Sequence, residues 1–119
     1  LRRALEIEEK ALGPDHPDTV YSLHQFGIFL RDMGRLEEAL ATLETSNQRH
    51  KIIYGENSLE HAYPISAIGQ THFLLKNYEE AEKYYKKALD IRERLLKPDD
   101  EQLVIIRKRL DELAEAREK

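Results

Sequence analysis

Apolar residues recur three and four positions apart through most of the chain, with charged residues between them. Each such run predicts a helix with one buried face. Val20, Leu23, Phe26, Gly27 and Leu30 form one stripe, and Ala62, Ile65, Ile68, Gly69 and Leu75 repeat it. A different stripe follows each of these: Leu36, Ala39, Leu40 and Leu43, then Tyr78, Ala81, Tyr85, Ala88 and Leu89. Ala39 and Ala81 are 42 residues apart, as are Leu36 and Tyr78, so the interval organises pairs of helices.

The punctuation keeps the same interval. Asp15, Asn57 and Asp99 lie 42 apart, and Asp18, Glu60 and Gln102 follow each by three, the pattern of a reciprocal N-terminal cap. Gly13 and Gly55 precede two of these starts and suit a left-handed helix end, while the third place holds Lys97 and Pro98. Gly34 closes the first helix of its pair. Leu1–Leu12 reads as the second helix of an earlier unit, because Ala4 shares the phase of Ala88. Leu103, Ile106, Leu110 and Leu113 mark one more first helix from about Asp99. The expected helices span 1–12, 16–33, 35–54, 58–75, 78–96 and 100–117. They make one array over 1–119: a leading helix, hairpins at 16–54 and 58–96, and a final or capping helix.

Gly27 and Gly69 each cost up to about 1 kcal/mol relative to Ala inside a helix. Their shared phase predicts close helix approach, with Ala39 and Ala81 as the small partner surfaces. Pro64, seven residues past Asn57, removes a helical N–H and crowds the Glu60 carbonyl, which predicts a kink that reshapes the surface near Tyr63.

Composition narrows the functions. The 119 residues are 35% charged with 19 basic against 23 acidic side chains, which offers no footprint for a polyanion, so nucleic acid is not an expected partner. The absence of cysteine excludes disulfides and thiolate chemistry. No apolar run approaches the roughly 20 residues of a membrane span, so no membrane partner is expected. The opening at Leu1, without an initiator Met and inside a helix, reads as the start of an excised piece.

These residues resemble the tetratricopeptide repeat family. Leu23, Phe26-Gly27, Leu30, Ala39, Leu43 and Ser46 fill its pattern in one unit, and Ile65, Ile68-Gly69, His72, Ala81, Tyr85 and Ala88 fill it in the next. The third unit has Leu110 but Asp111 where Gly would stand, as a degenerate repeat or a polar cap. The common repeat is about 34 residues. The longer period, and "ALEIEEKALGPDHPDTVYSLHQFGIFLRDMGRLEEAL" with its echo "ALDIRERLLKPDD", is similar to the kinesin light chain type. His24-Gln25 and Ser66-Ala67 replace the Asn-Asn pair usual there. The resemblance implies an all-α, right-handed α-solenoid of stacked antiparallel hairpins, a protein-binding adaptor or scaffold, and a cytoplasmic setting.

Stacking in this family turns a second stripe of each first helix toward a concave groove. Tyr21, His24, Ile28 and Arg31, then Tyr63, Ser66, Gln70 and Phe73, then Ile105, Lys108, Arg109 and Glu112 occupy it. Its rings and cations suit a peptide with an aromatic or aliphatic anchor and nearby acids. The plainer alternative is that several of them pack between hairpins. A chaperone carboxylate clamp is not expected, since of its matching places only Arg109 agrees. Self-association through truncated solenoid ends, or a regulatory array within a larger signalling protein, is the second reading.

Catalysis has no visible residues. Glu37-Glu38 and Glu79-Glu80 point about 100° apart, as solvated first-turn charges rather than an acid and base pair. The five histidines show no metal-ligand spacing: His16 belongs to a capping turn, and His72 takes an aromatic's place on the packed face. No metal, cofactor or enzymatic activity is expected. Tyr84 and Tyr85 divide between surface and packing, and "RERLLK" and "RKRL" read as solvated basic patches.

Overall fold

A computed structural model describes residues 2–118, and helix is its only regular structure. The elements are α1 (Arg2–Leu12), α2 (Pro17–Asp32), α3 (Leu36–Tyr54), α4 (Leu59–Leu74), α5 (Tyr78–Leu95) and α6 (Glu101–Glu118). The first helix's expected start at Leu1 lies outside the described residues.

The caps keep the 42-residue interval but stand one residue later than expected, at His16, Ser58 and Asp100. Pro17 explains the first: it has no N–H to leave unpaired and its fixed φ suits the first helical position, so its predecessor becomes the cap. His16 Nδ1 accepts from the Asp18 N–H at 3.1 Å, Ser58 Oγ from the His61 N–H at 3.2 Å, and Asp100 Oδ1 from the Gln102 N–H at 2.9 Å. Asp18, Glu60 and Gln102 thus stand one place too early to return the bond, and the reciprocal form is missing among the described residues.

Within each hairpin the turn is the same Schellman motif. The Arg35 N–H reaches the Leu30 carbonyl at 2.9 Å, and the Asn77 N–H reaches the His72 carbonyl at 2.8 Å. Gly34 supplies the positive φ of 80°, but the equivalent residue is Lys76 at 65°. A side chain in that conformation costs about 1–2 kcal/mol, of which glycine's freer unfolded chain takes back part. Lys76→Gly is therefore expected to raise stability by about 0.5–1 kcal/mol; an unchanged or lower urea midpoint contradicts this.

Each helix packs on its neighbours in sequence, α1 on α2 through to α5 on α6, and α2 also meets α4. The core is correspondingly divided. Leu5, Leu23, Phe26, Leu30 and Ala39 close the first group, Leu43, Ala67 and Ile68 the next, and Ala62, Ile65, Ala81, Tyr85, Ala88, Ile91, Ile106 and Leu113 the last. A radius of gyration of 14.6 Å, against roughly 13.5 Å for a rounded domain of this length, fits a 46 × 32 × 19 Å slab. This is an all-α solenoid, in which hairpins bury their stripes only by stacking. Ala4, expected to pack like Ala88, is exposed, and Leu5 is the buried residue of α1. No described helix precedes α1 to cover it.

Gly27 and Gly69 do lie at close approaches, but their partners are not the alanines. A Cβ on Gly27 would stand 2.6 Å from Leu43 Cδ2, and one on Gly69 would stand 2.8 Å from Tyr85 Cδ1. Leu43 and Tyr85 are themselves 42 apart, so each glycine admits the large residue of the facing helix. Ala39 and Ala81 are fully buried elsewhere in the same interfaces. Helix α4 runs on through the buried Pro64 to Leu74.

Candidate functional site

The first helices of successive units, α2, α4 and α6, share one wall of the slab. Three clefts run along it. The middle one, about 230 Å³, is lined from α2 by His24, Ile28 and Arg31, and from α4 by Tyr63, Ser66, Ala67 and Gln70. Gln102, Ile105 and Arg109 of α6 and Arg92 of α5 complete it. Three guanidinium groups thus converge on a lining without an Asp or Glu.

Their states differ. Arg31 Nη1 donates to Gln70 Oε1 at 2.7 Å, bridging α2 to α4, while its Nη2 pairs with Asp32 Oδ1 at 3.2 Å. Its side chain is only 14% exposed. Arg92 is 4% exposed and makes no ion pair among the described residues. Its guanidinium carbon sits 5.5 Å from the centroid of the Tyr63 ring, a cation–π contact. Burial pushes its pKa down from the usual guanidinium range, but an arginine keeps its charge.

Toward the start of α2 and α4 lies a second cleft of about 430 Å³, lined by Pro17, Tyr21, His24, Gln25, His50, Tyr54, Glu60 and Tyr63. The His24 and His50 rings meet edge to face at 6.0 Å. His24 Nδ1 is buried without a hydrogen-bond partner among the described residues. Burial first, then the positive charge that His50 and Arg31 can carry, pushes His24 down to about 4, so its imidazole is neutral at ordinary pH. Burial also lowers His50, against the opposing bond between its Nδ1 and the Ser46 carbonyl at 2.8 Å. A third cleft of about 250 Å³ brings Gln70, Phe73, Leu74 and Tyr85 beside Arg109 and Glu112.

The wall gathers Tyr21, His24, Ile28, Arg31, Tyr63, Ser66, Gln70, Phe73 and Arg109 around these clefts. Phe73 is half packed, its ring centroid 5.7 Å from that of Tyr78. Lys108 is the exception: it is exposed and lines none of these three clefts. Its phase matches His24 and Ser66, which face a following unit, whereas α6 has no following helix among the described residues. Arg31 was expected to await an acid and is instead largely committed to Gln70 and Asp32.

Sequence reasoning missed the second-helix contribution. Arg92 falls inside "RERLLK", which reads as solvated, and His50 and Tyr54 carry no motif. The available signal was phase: His50 and Arg92 are 42 apart and both reach the wall. His72 is buried, near Asn77 Nδ2 at 3.3 Å and stacked on Tyr84 at 5.7 Å. No cluster of potential metal ligands occurs, and no helix is long and apolar enough to cross a membrane, among the described residues.

Comparison with known proteins agrees with this architecture. The chain is 30% identical over 97 residues to a clustered mitochondria protein homolog of Aspergillus niger, and 29% identical to those of Emericella nidulans and Aspergillus oryzae. Each alignment covers 79% of this chain and 8% of the relative, so the chain spans under a tenth of those proteins' length. The tetratricopeptide repeat pattern itself matches residues 1–46, 21–94 and 60–118. With stacked hairpins in the structure and that pattern running from one end to the other, the chain belongs to the tetratricopeptide repeat family.

Proposed function

We propose that the α2–α4–α6 wall is the recognition surface of a protein-interaction module and takes an extended peptide segment of a partner, as an adaptor or scaffold does. The members of this family generally mediate protein–protein interaction. The observation that carries the finer reading is the middle cleft, where Arg31, Arg92 and Arg109 converge on a lining without an acid and the buried Arg92 forms no ion pair among the described residues. Holding an unpaired charge out of water is costly, and an aspartate or glutamate of the peptide offsets that cost. Tyr21, Ile28 and Phe73 offer apolar ground for an aromatic or aliphatic anchor beside it. The helices are preformed, so little ordering is required on this side.

The reading extends to organisation. The array divides into a leading helix, hairpins at 16–54 and 58–96, and a closing helix; its period supports the kinesin light chain-like subtype, and that resemblance in turn implies a cytoplasmic setting. Self-association is the second reading, favoured by the exposed Ile7 and Leu12 on α1. Sedimentation of the chain across a concentration series separates the two, since a monomer at every concentration removes it.

The test uses twelve-residue peptides that pair an aromatic with two or three acids, selected from a library and measured by fluorescence anisotropy. Arg92→Met keeps the packing stem and removes the charge, and is expected to weaken binding about tenfold or more. Raising the salt should weaken it further. Peptides with the acids changed to amides that bind equally well would overturn the reading.

A further inference from the structure

The second cleft is chemically opposite to the first. Tyr21, Tyr54 and Tyr63 present three phenol rings, exposed to 61%, 38% and 50%, around about 430 Å³ of open space. His24 and His50 add two imidazoles, and burial lowers the pKa of each. Glu60 is the cleft's one acid, and it forms no ion pair among the described residues. Aromatic faces carry negative potential, and an uncommitted carboxylate among them adds a full charge. Tyr63 demonstrates the affinity of such a ring, since it already carries the Arg92 guanidinium at 5.5 Å.

We infer that this cleft binds the cationic side chain, ammonium or guanidinium, of a basic residue in the partner peptide. The inference rests on the reading of the wall as a peptide groove and deepens it. Tyr63 and His24 line both clefts, so the two subsites adjoin. A peptide with a basic residue on the Glu60 side and an acidic one on the Arg92 side is accepted in one direction only. Reversing it would bring like charges together at both subsites.

The whole chain, titrated at pH 8 with tetramethylammonium chloride and separately with uncharged tert-butanol, tests the cation subsite without a peptide. Saturable shifts in the Tyr21, Tyr54 and Tyr63 ring resonances are expected with the cation and not with the alcohol. Glu60→Gln is expected to weaken the response about fivefold or more. Equal response to the alcohol, no saturation, or indifference to Glu60→Gln overturns the inference. A second arm compares acidic peptides carrying lysine, or norleucine in its place, on the Glu60 side. Lysine should bind about fivefold or more tighter, with the advantage lost in Glu60→Gln. Acidic peptides that bind well with no lysine advantage overturn the inference and leave the groove standing, whereas failure of all peptides beside a positive cation titration overturns the groove alone.

Discussion

Replacing Gly69 by valine is expected to lower the melting temperature by roughly 10 °C, and even Gly69→Ala is expected to destabilise. Ordinarily glycine to alanine inside a helix gains about 1 kcal/mol, so the sign alone is diagnostic. The reason is space. A Cβ at Gly69 would lie 2.8 and 2.9 Å from two ring carbons of Tyr85 and 3.2 Å from Tyr84 Cβ. Tyr85 is almost fully buried and cannot swing away. Overpacking of this kind costs about 1–3 kcal/mol, with valine at the upper end, and each kcal/mol moves the melting temperature by about 3–4 °C in a chain of this size.

Gly27→Ala is expected to behave alike, because Leu43 Cγ would stand 2.7 Å from the added methyl. The pair can be separated. Leu43→Ala alone costs about 2–5 kcal/mol through its cavity, while the double substitution costs clearly less than the sum, since the new methyl fills part of the hole. Differential scanning calorimetry of the single and double variants checks this. A stabilised Gly69→Ala, or an additive Gly27 and Leu43 pair, contradicts the close approach.

Acid is the second strong perturbant. Between pH 7.5 and 5 the melting temperature is expected to fall, before most carboxylates titrate. Burial, then His50 and Arg31, places His24 near 4 in the fold from its usual 6.5, and burial lowers His50 and His61 as well. A histidine with a depressed folded pKa is equally neutral in both states well above 6.5 and contributes nothing to the pH dependence there. As the pH drops below 6.5 the unfolded chain takes up the proton first, so stability declines and levels off only near 4. For His24 alone the full loss is at most about 3 kcal/mol. Glutamine at this place keeps a polar side chain without the proton, so thermal melts of His24→Gln should show a flatter profile than the parent between pH 7.5 and 5. A parent profile flat across that window, or a variant with the same slope, contradicts the buried neutral imidazole.

Much of the fold was legible because stacking repeats one physical problem at a fixed interval. Leu23, Ile65, Leu43 and Tyr85 had to be buried wherever their helices met a neighbour, and spacing was enough to find them. The first cap slipped by one because Pro17, rather than Asp15, decides where that hairpin begins, whereas Ser58 and Asp100 take the same later place with no proline after them. Which residue fills the space over each glycine was not legible: Leu43 and Ala39 share a face one turn apart, and only the crossing of the two helices selects between them.

The wall was half legible. First-helix residues such as Tyr21 and Tyr63 were found from phase, but Arg92 and His50 come from second helices, where the pattern predicts packing and charge predicts solvent. Lys108 stands outside the three clefts for the complementary reason, since among the described residues no helix follows α6 to pack beside it.

The claim on which the rest depends is that this one wall receives a partner. Backbone and arginine side-chain resonances of the isotope-labelled chain, followed while an acidic peptide selected from the library is added, test it most directly. The account predicts shifts concentrated at Arg31, Tyr63, Arg92 and Arg109, with the outward charges of α3 and α5, such as Glu44 and Lys83, unmoved. Shifts centred on Glu44 and Lys83 with the arginines silent would contradict it.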